Sequence, residues 1–514
     1  MSRVSNSIKN VSFAITGQFI SLLITFLSRM IFIKYLGDEY LGIDGLFTNI
    51  LSILSLADLG IGTAINFSLY KPLAEKDENQ LLILMNLYKK VYFFIGIIVL
   101  VIGISITPFI KFFINNNINI DNIYLIYILY VLNSATTYLF TYKRSLIIAS
   151  QKDYITTIVH YIIYFIVNIL QITIIIITKN FILYLIIKFM FNFIENFILS
   201  IIANKMFPYL KKNTNEKIGI EVKTSIIKNI KAMIFHKIGG VCVLATDNLL
   251  ISRFVNIVSV GLYSNYLMII QAINSLLSHF FNGIIASVGD LAVLNEKKVV
   301  KEKFNIINFL GFWLFSISSI CLFILLNPFI EIWIGKQFTF NIWIVLVIVL
   351  NFFLNGMRQA TLTFRTALGL FWYDRYKPVF EAIINLSASI ILVNRYGIIG
   401  VLIGTTISIL TTCFWIEPYI LYKYGLDDNP IKYFKVYFKY FILTIFAFIC
   451  TKLVIRIFVF NGILGFLFEM IICIIVPNLI YIFFFHRCYE FKYLEKLIIN
   501  IIRKVVLRIK VKNK

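Results

Sequence analysis

The sequence predicts an all-α integral membrane protein with about fourteen transmembrane helices. Hydrophobic residues make up 60% of the 514 residues and charged residues only 14%, whereas soluble chains contain about 45–50% (glycine included) and about 25%. Apolar stretches of about 20 residues recur along the chain, and this is the length that a helix needs to cross a hydrocarbon core about 30 Å thick. The sequence lacks the strict alternation that marks an outer-membrane barrel. The chain is therefore expected to cross the lipid as a helical bundle.

The predicted spans follow one another through short polar connections. In chain order they are 11–34, 41–69, 91–112, 123–148, 155–178, 181–204, 229–252, 257–288, 304–330, 338–364, 378–394, 396–422, 433–458 and 462–486. Several are longer than the minimum for a span, which allows them to tilt.

Basic residues are concentrated in alternate connections between these spans. Of the 48 lysines and arginines, 36 fall on one side of the predicted membrane and 8 on the other. Such an excess in short loops marks the cytoplasmic side, so we expect both termini in the cytoplasm. The same distribution accounts for the net charge of +23 without a nucleic-acid partner.

The longest polar connection and a weak internal repeat predict two lobes. With an offset of 219 residues, Gly42 aligns with Gly261 and Lys34 with Arg253, and both copies run from inside to outside. A parallel repeat of this kind builds the two halves of many transporters. The predicted parts are an N-terminal lobe 1–204, a cytoplasmic linker 205–228, a C-terminal lobe 229–424, a thirteenth and fourteenth span at 425–486, and a basic tail 487–514.

The tail alternates apolar and basic residues at helical spacing. Its apolar side consists of Leu497, Ile498, Ile501, Val505 and Ile509. We expect an amphipathic helix on the anionic inner leaflet, where each basic residue contributes about 1 kcal/mol.

Ionisable residues inside the spans are the candidate functional residues. A charge at this depth costs at least about 2.5–3.5 kcal/mol and usually faces the bundle interior or a water-filled cavity. Arg29 lies in the outer third of the first span, and the repeat places Asp247 at a comparable depth in the seventh. The two residues are predicted to pair across the lobe interface. The alternative for Arg29 is a lone side chain that reaches to the outer interface.

Asp58 lies mid-membrane in the second span, in the run Leu-Ala-Asp-Leu-Gly-Ile-Gly. Two interpretations of Asp58 stay open. Asp58 is either a site for a coupling proton or sodium ion, as Asp247 also is in principle, or an acceptor of hydrogen bonds from neighbouring hydroxyls and backbone.

Four basic residues in the cytoplasmic halves of the spans are candidates for an inward-open cavity. Arg358 and Arg365 are seven residues apart and so lie on one face of the tenth span, while His236 and Lys237 enter the seventh. Glu381 is a predicted partner for one of these cations. His236 and Lys237 are equally compatible with the membrane interface. Other charged residues within the spans are predicted to be interhelical partners or interface residues: Lys188, Glu195, His160, Glu417 and Glu469.

The sequence contains no motif that indicates an enzyme. A Walker A loop, an HExxH motif and a G-x-S-x-G motif are absent from it,. The external connections are about a dozen residues or shorter, whereas membrane enzymes that act on lipid-linked sugars need a sizeable external loop. We therefore predict a protein that is not an enzyme and has no cofactor or metal site, with H⁺ or Na⁺ as possible coupling ions.

Several segments of the sequence together resemble a known family. They are 32–47 (FIKYLGDEYLGIDGLF), 55–65 (SLADLGIGTAI), 68–73 (SLYKPL), 228–232 (KNIKA), 236–240 (HKIGG), 246–248 (TDN), 260–266 (VGLYSNY) and 369–378 (GLFWYDRYKP). These segments resemble the bacterial polysaccharide-biosynthesis flippases, the O-antigen (Wzx-type) transporters of the multidrug/oligosaccharidyl-lipid/polysaccharide exporter superfamily. The resemblance extends over nearly the whole chain and is most specific in the first block.

The resemblance implies two six-helix lobes around a central cavity, with two further helices at the C-terminus. It also implies that the chain moves an undecaprenyl-diphosphate-linked oligosaccharide across the bacterial cytoplasmic membrane by alternating access. Relatives bind the diphosphate through cationic cavity residues, and Arg29 is the best-placed match. The implied partners are the lipid-linked oligosaccharide, the bilayer and other membrane proteins of polysaccharide assembly.

Two alternatives remain at this point. One is an ion-coupled small-molecule or multidrug antiporter of the same superfamily, with Asp58 or Asp247 as the ion site. The other is a membrane polysaccharide polymerase or ligase, which the short external connections disfavour. The glycan, the coupling ion, the oligomeric state and the role of the last two spans are not determined by the sequence.

Overall fold

The computed structural model describes residues 3–58, 61–114, 120–211, 219, 224, 227, 245–294, 297–457 and 462–512. Within these ranges every regular element is a helix. The first nine α-helices are α1 Arg3–Leu36, α2 Asp38–Leu54, α3 Ile61–Glu75, α4 Glu78–Ile106, α5 Ile110–Phe113, α6 Ile123–Thr137, α7 Thr141–Ala149, α8 Asp153–Thr178 and α9 Phe181–Met206. Residues 245–254 are also helical.

The second part of the chain contributes ten further α-helices. They are α10 Ile257–Leu294, α11 Lys297–Trp333, α12 Ile342–Met357, α13 Gln359–Ala367, α14 Lys377–Tyr396, α15 Ile398–Ser408, α16 Phe414–Ile420, α17 Ile431–Ile457, α18 Gly462–Phe485 and α19 Tyr489–Lys512. Two π-helical stretches, Ile409–Cys413 and Leu421–Leu426, flank α16 on either side.

The prediction of an all-α membrane protein is confirmed. The described residues contain twelve helices that are long and apolar enough to cross a membrane, or thirteen if α6 and α7, which meet at 45°, form one span. Thirteen of the fourteen predicted spans have a counterpart among these helices. The seventh, 229–252, lies outside the described residues except at its end.

The second predicted span is divided where its sequence becomes polar. Helix α2 ends at Leu54, and a 3₁₀ turn at Ser55–Asp58 precedes α3. The Ser55 hydroxyl donates to the carbonyl of Ser52 at 2.6 Å. Short polar side chains that bond to nearby backbone compete with the regular helix, which explains a break that hydropathy alone does not reveal.

The chain forms two compact units. Unit 1 consists of Met1–Asn265 with Ser389–Val401, and unit 2 of Tyr266–Ala388 with Leu402–Lys514. In unit 1, α8 packs along α1 and α9, and α6 packs against α9. In unit 2, α11 packs against α12, α17, α18 and α19. The lobe boundaries inferred from the sequence remain a prediction.

The two glycines that the repeat aligns lie at a close helix contact within unit 1. A Cβ added to Gly42 would overlap the carbonyl oxygen of Ile257, and one added to Gly261 would lie 3.0 Å from the backbone nitrogen of Gly42. The absence of side chains at both positions therefore lets the beginnings of α2 and α10 approach each other.

The predicted tail is helical, as α19. Near its start, the Lys303 ammonium group of α11 donates to the Tyr493 hydroxyl at 2.7 Å, and the Phe491 ring stacks on Trp313 with 5.8 Å between ring centroids. These contacts fix the beginning of α19 to unit 2. Its binding to an anionic leaflet remains a prediction.

Candidate functional site

Helix α8 packs against α1 and α9 in unit 1, and all three helices carry polar residues on the packed faces. These side chains, with α2, line a cavity of about 260 Å³. The lining residues are Thr25, Ser28, Arg29, Phe32, Asp44, Tyr164, Val167, Asn168, Gln171, Tyr184 and Lys188. A polar cavity inside apolar spans is costly to maintain, so this one is the candidate functional site.

Arg29 occupies this cavity from α1. It lies seven residues before the end of α1 at Leu36, or about 10 Å of helix at about 1.5 Å per residue. Its side chain is half-buried and is surrounded by polar lining residues rather than by apolar ones alone. Arg29 therefore lines a cavity within unit 1, and its role in substrate binding remains a prediction.

The carboxylate in this cavity is Asp44. The Tyr130 hydroxyl donates a hydrogen bond to it, and the Lys188 ammonium group lies 3.9 Å from the same oxygen, Oδ1. Lys188 also lies over the Tyr130 ring, 5.3 Å from its centroid. With Arg29 and Lys188 against one carboxylate, the cavity has a formal charge of +1. It is thus suited to an anion.

Sequence analysis does not identify Asp44, although this residue lies in the block that carries the resemblance. It comes six residues after the start of α2, close enough to the outer end of the predicted span to pass for an interface residue. The spacing of polar residues on α8, at Tyr164, Asn168 and Gln171, is a signal that points to the cavity from sequence. Such three- and four-residue steps mark one face of a helix.

The Asp58 side chain forms hydrogen bonds with nearby groups of unit 1. Its carboxylate accepts from the backbone N–H of Gly62 at 3.3 Å and also interacts with the Tyr92 hydroxyl. The Tyr88 hydroxyl donates to the carbonyl of Gly62 at 2.8 Å. This is the geometry of the hydrogen-bond acceptor, and an ion-coupling role for Asp58 remains a prediction.

Asp247 is 8% exposed and lies close enough to Tyr263 to interact with it electrostatically. The carboxylate that lines the same cavity as Arg29 is that of Asp44. The pairing of Arg29 with Asp247 and an ion-coupling role for Asp247 remain predictions.

Arg358 and Arg365 lie together in unit 2, within a buried network of ions. Arg358 binds Glu417 through two hydrogen bonds, from Nε at 2.9 Å and from one terminal nitrogen at 2.6 Å. Arg365 pairs with Asp374 and lies 3.6 Å from Glu417. Glu417 is fully buried, so its charge is stabilised by these cations rather than by water.

Lys377 completes this network from the start of α14. Its ammonium group donates to Glu417 at 2.7 Å and lies 3.2 Å from Glu381. Glu381 therefore pairs with Lys377. The sequence analysis instead predicts a partner among the candidate cavity cations. Three cations and three carboxylates balance here, and a substrate-binding role for Arg358 and Arg365 remains a prediction. His236 and Lys237 lie outside the described residues.

No family model and no curated protein matches this sequence. Solved structures do match. A lipid II flippase MurJ in an inward closed conformation has a TM-score of 0.64 and 16% identity, and the match covers 93% of this chain and 99% of that one. An inward-facing multidrug resistance MATE transporter of the MOP superfamily has a TM-score of 0.57 and 13% identity, with 81% and 99% covered. A point mutant of the Vibrio cholerae MATE transporter VcmN has a TM-score of 0.54 and 13% identity, with 82% and 99% covered.

The chain has the fold of these solved structures. Sequence identities of 13–16% show a shared fold and nothing finer. The chain is a multi-pass membrane protein by its long apolar helices, and its solved neighbours include a lipid II flippase and a multidrug resistance transporter. Membership of the superfamily inferred from the sequence blocks, and the O-antigen type, remain proposals.

Proposed function

We propose that this protein moves an undecaprenyl-diphosphate-linked oligosaccharide from the inner to the outer leaflet of the bacterial cytoplasmic membrane, for assembly of a surface polysaccharide. The observation that carries the proposal is the polar cavity around Arg29, which has a formal charge of +1 inside the apolar spans. It occurs in a chain with the fold of a lipid II flippase. The transporter works by alternating access and is not an enzyme.

The chemistry of the cavity suits a diphosphate. An arginine offers two parallel N–H donors to phosphate oxygens, and such charge-assisted bonds are roughly twice as strong as neutral ones. Lys188 is already shared with Asp44 at 3.9 Å, so Arg29 is the cation that we assign to the head group. The hydroxyl and amide groups of the lining are suited to hydrogen bonding with the first sugar.

A multidrug antiporter is the second candidate, since two of the solved neighbours are structures of a multidrug resistance transporter. The coverage favours a flippase. The MurJ match extends over 93% of this chain and the MATE matches over 81–83%. The difference is about a tenth of the chain. A cavity with excess positive charge also disfavours the cationic drugs that an antiporter with a carboxylate site would take.

The proposal includes an orientation, a driving force and partners. Both termini lie in the cytoplasm, α19 lies on the anionic inner leaflet, and H⁺ or Na⁺ coupling drives transport. The partners are the lipid-linked oligosaccharide and other membrane proteins of polysaccharide assembly. Substrate-contact roles for Arg358, Arg365, His236 and Lys237 are part of the same proposal.

The test is transport of a fluorescent undecaprenyl-diphosphate oligosaccharide by the purified protein in proteoliposomes. We expect Arg29→Ala to lower the transport rate by about tenfold or more, because a lost charge-assisted bond costs about 1.5–3 kcal/mol. Arg29→Lys should keep part of the activity. The matched control is Arg395→Ala, which removes an exposed arginine of the same unit and should leave the rate unchanged. Wild-type transport by Arg29→Ala would contradict the assigned role.

A further inference from the structure

Helix α8 carries a polar stripe that extends beyond the cavity. His160, Tyr164, Asn168 and Gln171 are separated by four, four and three residues, so they lie on one helix face. The last three line the cavity. His160 is therefore one turn from the cavity, on the same face, and its side chain is 43% exposed.

His160 lies against Glu195 of α9. Its Nδ1 atom is 3.1 Å and 3.2 Å from the two carboxylate oxygens of Glu195, which is only 10% exposed. A terminal nitrogen of Arg144, from α7, lies 3.6 Å from the same carboxylate. The carboxylate thus has a permanent cation on one side and a titratable one on the other.

The pair is linked to the cavity through neighbouring side chains. The His160 and Tyr164 rings have centroids 6.0 Å apart. The Tyr164 hydroxyl shares a hydrogen bond of 2.6 Å with the Thr25 hydroxyl of α1, one helical turn before Arg29. On α9, Lys188 of the cavity and Glu195 are seven residues apart, or two turns and about 10 Å.

We propose that His160 and Glu195 form a proton-binding site that is coupled to anion binding in the Arg29 cavity. In the neutral state the Nδ1–H group of His160 donates to Glu195, and Nε2 is the atom that takes up a proton from water. Uptake of that proton changes the formal charge of the group formed by His160, Glu195 and Arg144 from 0 to +1. The choice of diphosphate as the anion rests on the function proposed above.

The coupling follows from charge. An added positive charge one to two turns from the cavity raises its attraction for an anion, since interactions across about 10 Å of low-dielectric protein are only weakly screened. Anion binding must in turn favour protonation, because coupling between two sites is reciprocal. The Tyr161 and Tyr164 rings of α8 also contact His160, with centroids 5.4 Å and 6.0 Å from its ring. The neighbouring Lys143 of α7 bonds instead to Ser200 at 2.7 Å.

The experiment measures binding of farnesyl-diphosphate-linked N-acetylglucosamine to the full chain in detergent between pH 5.5 and 8. The diphosphate diester keeps its charge over this range, and ordinary histidine titrates within it. The wild type should bind about fivefold more tightly at the low end and should take up protons on binding in weakly buffered solution. His160→Gln should lose most of this pH dependence and most of the proton uptake. The control His486→Gln removes an exposed histidine of unit 2 and should behave as the wild type.

A His160→Gln variant that keeps both the wild-type pH dependence and the proton uptake overturns the proposal. If the wild type does not bind the probe at any pH, the diphosphate function fails, and the proton site is then judged on the ligand-free protein. Histidine NMR of the ligand-free protein should show that Glu195→Gln alters the pH dependence of the His160 signals, because the carboxylate of Glu195 contacts His160 Nδ1. Unaltered His160 signals overturn the site. Thermal unfolding of each variant establishes that it is folded.

Discussion

At the scale of single residues, the two units handle buried charge differently. In unit 1 the cavity around Arg29 keeps an excess of positive charge beside Asp44 and Lys188. In unit 2 the cations around Glu417 are matched by carboxylates. An unmatched charge is available to a ligand, whereas a matched network holds helices together. The binding role proposed for Arg29 thus rests on an excess charge, whereas Arg358 and Arg365, for which substrate contacts are also proposed, additionally hold helices of unit 2 together.

Glu417→Gln tests the structural role of the network. The change keeps the shape of the side chain but leaves Arg358, Arg365 and Lys377 with one carboxylate fewer. Breaking a buried pair by removing one partner costs about 3–5 kcal/mol. We expect a clearly lower melting temperature in detergent. Glu302→Gln, at an exposed carboxylate of α11, is the control and should leave the melting temperature unchanged; equal melting temperatures for the two variants would show that the network is not stabilising.

At the scale of elements, the departures from straight α-helices occur at charged or polar residues. The turn between α12 and α13 lies at Arg358, and α16, which carries Glu417, lies between two π-helical stretches. Stretches of π-helix are rare and are frequently found at functional sites. The turn at Arg358 and the π-helical stretches beside α16 thus lie next to the two residues that form the Arg358–Glu417 ion pair.

Gly42→Ala tests the helix contact between α2 and α10. The added methyl group would overlap the backbone of Ile257, and backbone cannot move aside as a flexible side chain does. We expect lower thermal stability and slower transport in proteoliposomes. Gly311→Ala is the control, because its added Cβ would lie 3.4 Å from the end of the Phe281 ring. If Gly42→Ala and Gly311→Ala have the same thermal stability, the contact between α2 and α10 tolerates the added methyl group and the prediction is wrong.

The elements also show what the sequence predicts and what it does not. Span positions are predictable because lipid demands about 20 apolar residues for each helix. The Glu417–Arg358 bond joins residues 59 apart, and no periodic pattern relates them. Asp44 lies in a block that carries the resemblance, yet nothing in its spacing marks it as a cavity residue. The stripe from His160 to Gln171 is present in the sequence as helical spacing, and its meaning becomes clear only from the facing residues of α1 and α9.

At the scale of the whole molecule, charge and apolar length together predict an orientation. Lys179, in the turn between α8 and α9, and Lys76, between α3 and α4, lie on opposite sides of the predicted membrane. Both side chains are exposed. The excess of basic residues on the side of Lys76 predicts that this side faces the cytoplasm.

Cysteine labelling tests this orientation. In a cysteine-free background, Lys179→Cys should react with a membrane-impermeant maleimide in intact cells. Lys76→Cys should react only after the membrane is permeabilised. The reverse pattern would place the termini outside, and labelling of both sites in intact cells would contradict a fixed topology.

The glycine contact has a consequence for the ancestry of the chain. Asp38 and Ile257, like Gly42 and Gly261, are 219 residues apart. Gly42 lies against the carbonyl of Ile257, and a Cβ on Gly261 would lie 2.9 Å from the carbonyl of Asp38. Gly42 of the first copy thus contacts the residue aligned with Asp38, and Gly261 of the second copy contacts Asp38 itself. This reciprocal pattern is that of the isologous interface of a two-fold homodimer. If the weak repeat reflects duplication of a half-length ancestor, this contact is one through which two copies of that ancestor would have paired. In such a dimer one substitution would alter both sides of the contact at once, whereas in the single chain each side can change alone.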